Sequence, residues 1–103
     1  IYYYPERYTS NADGAKEVKE AAENRLIEYY CHLDHHLAEK GPYLLGDTFS
    51  AADYYLLMVS RWGRPLKTTP RQMEHLMTAL NKVAERAAVQ RAFASEGIEP
   101  PFF

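Results

Sequence analysis

The chain has 103 residues, 12 of them basic and 14 acidic, for a net charge of −2, and a single cysteine. This length bounds it to one domain with a core of modest size. The balanced charge gives no reason to expect nucleic acid or an anionic membrane as a partner. One cysteine excludes an internal disulfide and suits a reducing, cytoplasmic setting, and no run nears the roughly 20 apolar residues of a membrane span.

The chain opens Ile1-Tyr2-Tyr3-Tyr4-Pro5, an aromatic run with nothing before it to pack against. We read residues 1–13 as the remnant of a preceding helix and loop of a longer protein, and 14–103 as a helical domain. The expectation for the segment before Gly14 is poor packing, with Tyr2, Tyr3, Tyr4 and Tyr8 forming an exposed patch. Nine tyrosines in all suit buried rings, a dimer contact or an aromatic pocket.

From Ala15 to about Lys40 good helix formers dominate. Val18, Ala22, Leu26, Tyr29 or Tyr30, Leu33 and Leu37 recur three and four apart and trace one apolar stripe. Gly41 and Pro42 stop this helix. A second helix is expected from Ala51 to about Trp62. Ser50 and Asp53 have capping-box spacing at its start, and Phe49 and Tyr54 are placed to pair as a hydrophobic staple. Its apolar residues fall on nearly all sides, which predicts a central, buried helix.

Gly63 and Pro65 end that run. Thr69-Pro70-Arg71-Gln72 then repeats the logic of a helix start, with Met73, Leu76, Met77, Leu80, Val83 and Ala84 as the inner face. Ala87 to Ser95 adds a further turn or two before Gly97, and periodicity leaves open whether a break precedes it. No stretch alternates with period two, so the class is all-α.

Few residues are placed for chemistry. His32, His35, His36 and Glu39 crowd one helix, but two helical histidines without a distant third ligand rarely hold a metal, and the cluster reads as a solvated face. Cys31 reads as a small buried hydrophobe. Met73 and Met77 read as core filling, and no phosphate loop or serine-hydrolase turn is present. Trp62, flanked by Arg61 and Arg64, is the candidate for a ligand wall, with a packed Trp closing the core as the other reading.

The string Gly41-Pro42-Tyr43-Leu44-Leu45-Gly46, followed by Phe49-Ser50 and Asp53, resembles the signature of the glutathione transferase C-terminal domain. The helix end Leu37-Ala38-Glu39-Lys40 and the tail Ala88 to Gly97 match in order, and the tail with Trp62 is most similar to bacterial, beta-class enzymes. The resemblance implies an all-α orthogonal bundle of about four to five helices. It implies a homodimeric parent enzyme of detoxification that conjugates glutathione, as co-substrate, to an apolar electrophile, with no further cofactor. In that family Ser50 and Asp53 are structural, and Trp62 matches a substrate-binding tryptophan at the cleft. The catalytic residue lies on a thioredoxin-like N-terminal domain with no counterpart here, so no residue of this chain is expected to be catalytic and the chain alone is expected to be inactive. The alternative is a non-catalytic interaction module of the translation or synthetase-complex type.

Overall fold

The computed structural model describes all 103 residues. Four helices make up the fold: α1 (Ala12–Lys40), α2 (Ala51–Arg61), α3 (Glu74–Ala84) and α4 (Ala87–Ser95). There are no strands, only isolated bridges within the loop after α1. The molecule measures 46 × 34 × 20 Å. The short dimension is two helix diameters, and the long one is set by the 29 residues of α1 at about 1.5 Å each.

Helix α1 starts three residues before the expected Ala15, because Asn11 caps it. The Asn11 Oδ1 accepts from the N–H groups of Asp13 (2.8 Å) and Gly14 (3.3 Å). The alternative left open in its stripe resolves in favour of Tyr30, which is buried, while Tyr29 faces solvent. Leu37 is buried at the far end, whereas Val18, Ala22 and Leu26 are only half-covered. The N-terminal half of α1 therefore has one apolar flank open.

The centre of the core belongs to α3, not to α2 as the composition suggested. Leu76, Leu80 and Val83 are fully buried, and α3 packs on both α1 and α2. Helix α2 buries Asp53, Leu56, Leu57 and Ser60 but leaves Tyr54, Tyr55 and Met58 exposed. An all-round apolar composition gives no direction, so the choice of buried face fell to the neighbours. The buried Ser60 hydroxyl has no partner.

Residues Pro70–Gln72 form a 3-10 turn of their own rather than the first turn of α3. Helix α3 then begins without a side-chain cap from its own segment. Asp34, near the C-terminal end of α1, supplies one: its Oδ1 accepts from the Leu76 N–H at 2.8 Å, satisfying a donor of the first turn. Glu85 and Arg86 break α3 from α4, and the Gln90 side chain stitches the break by donating to the Ala84 carbonyl at 2.6 Å.

Gly97 ends α4 at φ +71°. The Ile98 N–H reaches the Phe93 carbonyl (2.8 Å) and the Gly97 N–H that of Ala94 (3.2 Å), a Schellman closure that needs the left-handed conformation. The chain then folds back. Phe102 lies 4.7 Å from Phe93 between ring centroids, Phe103 is buried, and the Arg61 guanidinium donates to the Phe102 carbonyl at 2.7 Å.

The opening segment is better docked than its composition predicted. Tyr2 is only 8% exposed and belongs to the core cluster, while Tyr3, Tyr4 and Tyr8 remain open to solvent. Tyr2 finds its cover in the space beside α1 that the stripe leaves free, a pairing distant in sequence that local patterning cannot show.

Candidate functional site

Helix α2 positions both groups of residues singled out in the sequence. At its N-terminus the capping box forms between Ser50 and Asp53. The Ser50 N–H donates to Asp53 Oδ2 at 2.9 Å, and the Ser50 hydroxyl lies 3.4 Å from the same oxygen. The second carboxylate oxygen accepts from the Leu44 N–H at 3.1 Å. Asp53 is 1% exposed, so this one side chain fastens the Gly41–Phe49 loop to the helix. Phe49 stacks edge-on against Tyr54 at 4.8 Å, completing the staple, and the Arg86 guanidinium covers the Phe49 ring at 3.6 Å. From α1, His36 Nε2 donates to the Leu44 carbonyl at 2.8 Å and holds the same loop. Nothing in this end is free to do chemistry.

The opposite end of α2 is open. Trp62 is 56% exposed, so its ring is not part of the core. It stands at the rim of a groove of about 850 Å³ bounded by the opening tyrosines, the open flank of α1 and Val59. All of the lining residues are apolar or aromatic except Arg25. Arg61 and Arg64 flank Trp62 in sequence, and the Arg61 guanidinium turns to the Phe102 carbonyl. Burial and the neighbouring Arg64 cation lower the Arg61 pKa, with Glu96 opposing the shift.

Three tyrosine hydroxyls meet the backbone here. Tyr30 donates to the Val59 carbonyl at 2.7 Å, Tyr3 to that of Trp62, and Tyr2 more distantly to that of Pro65 at 3.5 Å. Burial raises the Tyr30 hydroxyl pKa to about 12, with Tyr3 adding to the shift. That of Tyr3 is also raised, by burial and then by Tyr2, against the opposing Arg64. Both hydroxyls thus stay protonated donors far above neutral pH.

The remaining candidates lie elsewhere. His35 pairs with Glu39 at 3.2 Å on the outer face of α1, both exposed. Cys31 is exposed, a correction to its reading as a buried hydrophobe. The stripe residue beside it is Tyr30, and that places Cys31 on the outward side. Tyr3 and Tyr30 were not singled out in the sequence as partners of the Trp62 end. The only signals were the tyrosine count and the aromatic run, and neither names a backbone acceptor.

An all-α domain of four helices without strands agrees with what the comparisons with known proteins find. The model of the glutathione S-transferase C-terminal domain matches residues 2–96. The chain belongs to that family. It is similar to glutathione S-transferase GstA of Escherichia coli O157:H7, with 35% identity over 57 residues. The match covers 55% of this chain and 28% of that relative, so the chain spans a minor part of the relative's length. No solved structure matches.

Proposed function

We propose that this domain forms the apolar-substrate side of the cleft in a full-length glutathione transferase, with Trp62 at the cleft edge. The observation that carries the proposal is the exposed Trp62 indole at the rim of an apolar groove. An indole offers a flat apolar face and an N–H donor to a ligand that is part apolar and part polar. The exposed Arg64, two residues on from Trp62, suits a carboxylate of glutathione.

In this reading a partner thioredoxin-like domain binds glutathione and stabilises its thiolate, the competent nucleophile. The sulfur attacks the electrophilic carbon, an S–C bond forms, and the leaving group departs with its electron pair. The present chain contributes shape, apolar surface and positive potential, and no group that gains or loses a proton. The chain alone is therefore expected to leave a general electrophile and glutathione unreacted beyond the buffer rate.

Substitution of Trp62 by Phe in the full-length enzyme tests the role. A cleft residue shifts KM or kcat while the melting temperature holds, because a ring already exposed loses little packing. Kinetic constants equal to the parent's, with glutathione leaving the emission of Trp62 unaltered, would sink the cleft role.

A further inference from the structure

We propose that Tyr3 and Tyr30 are positioning residues for Trp62, holding its backbone through a ladder of hydroxyl-to-carbonyl hydrogen bonds that continues at Tyr2. The inference rests on Trp62 as a cleft residue and deepens that reading.

The ladder follows from how α2 ends. Beyond Arg61 the backbone winds on with i to i+3 bonds: Trp62 N–H to Val59, Gly63 to Ser60, Arg64 to Arg61 and Leu66 to Gly63. Such a turn has three residues per revolution, so carbonyls three apart point the same way. Val59, Trp62 and Pro65 are three apart, and they are the carbonyls that Tyr30, Tyr3 and Tyr2 meet in turn. The last carbonyls of a helix lack partners within it and must find donors elsewhere. The Trp62 carbonyl receives no backbone N–H, and the Tyr3 hydroxyl takes that place.

Burial does not account for the orientation of Trp62. With half of its surface in solvent, the indole lacks the enclosing shell that fixes a core ring. Its backbone, by contrast, is held by groups from α1 and the opening segment. Gly63 tightens the arrangement: a Cβ there would meet Pro70 Cδ at 2.9 Å and Tyr30 Cε2 at 3.0 Å. The Trp62–Gly63 turn is thus wedged directly against the ring that carries one of the hydroxyls. Tyr3 is itself exposed, and its ring leans edge-on against the buried Tyr2 at 5.0 Å. Its hydrogen bond therefore ties a solvent-facing ring to the backbone carbonyl of a residue whose indole faces solvent, where it orders the site more than it stabilises the fold.

The chain's single tryptophan makes the test direct. Time-resolved anisotropy of Trp62 is measured in the 103-residue chain and in its Tyr3→Phe and Tyr30→Phe variants, alongside thermal melts. Both variants keep the ring and remove only the hydroxyl. The ladder requires a larger fast, local component of depolarisation in Tyr3→Phe at an unchanged melting midpoint, and a similar rise in Tyr30→Phe. A fast component equal to the parent's in both variants overturns it, as does a rise in Tyr3→Phe that appears only together with a lowered midpoint. Full-length kinetics keep the two ideas apart. Trp62→Phe without kinetic effect removes the cleft role and leaves the anisotropy to decide the ladder. A kinetic effect in Trp62→Phe that Tyr3→Phe does not reproduce removes the positioning role and leaves the cleft role standing.

Discussion

The two ends of α2 are both tied to segments outside the helix, yet in opposite ways. At the N-terminus one buried carboxylate, Asp53, gathers the Ser50 and Leu44 N–H groups in a dry environment. At the C-terminus three neutral hydroxyls from two other segments meet the carbonyls, and the residue they surround stays half in water. A buried carboxylate left without its donors, or donors left without their carboxylate, is expensive. A partly hydrated carbonyl that loses one hydroxyl can turn to solvent. The first end is thus built to resist change and the second can tolerate it, which is where a ligand-facing side chain belongs.

That contrast is broken most directly at Asp53. Asp53→Ala strips two N–H groups of their acceptor and removes the cap, so a loss of about 2–4 kcal/mol is expected. A urea midpoint close to the parent's would show that the two ends do not differ. The midpoint should fall while the Trp62 emission of the still-folded fraction stays where it was.

Gly63→Ala comes next. The added methyl drives into Pro70 and the Tyr30 ring, and overpacking of this kind typically costs about 1–3 kcal/mol. Here stability and the Trp62 signal should change together, because the clash lies within the ladder. Altered stability with unmoved Trp62 emission would mean that the turn and the ladder are independent.

Tyr30→Phe has the smallest effect at neutral pH, about 1 kcal/mol for one hydrogen bond. Its signature is alkaline. The Tyr30 hydroxyl ionises at about 12 in the folded chain, against 10.0 for the unperturbed side chain. Above the lower value the unfolded chain loses a proton that the folded chain keeps, so stability is complete below about 10 and declines as pH rises toward about 12. The Phe variant lacks that contribution, and its midpoint should fall less steeply across this window. Parallel curves for parent and variant would place the hydroxyl in a less buried setting than the geometry gives.

Much of this was legible along the chain. Ser50 and Asp53 stand three apart before an apolar run, and helix caps are local, so spacing alone identifies them. Gly41 and Pro42 end α1 by the same kind of local rule. The stripe of α1 was visible as well, except that adjacent tyrosines at 29 and 30 cannot be ranked by a period of 3.6. Other features were out of reach because their partners lie far away in sequence. Asp34 caps a helix that begins 40 residues later, Tyr3 meets a carbonyl at Trp62, and Phe103 returns to the core after α4.

The sequence by itself determined the all-α class, the helix stops, the capping box and the family resemblance, because each rests on backbone chemistry or patterning within a few turns. Only the tertiary structure decided that α3 rather than α2 lies at the centre, that Cys31 faces outward, and that Trp62 stands clear of the core beside three tyrosine hydroxyls. The physical reason is that burial and long-range hydrogen bonding are properties of the packed neighbours. Helix α2 is apolar on nearly every side, so its own residues could not say which face would be covered and which would be left open.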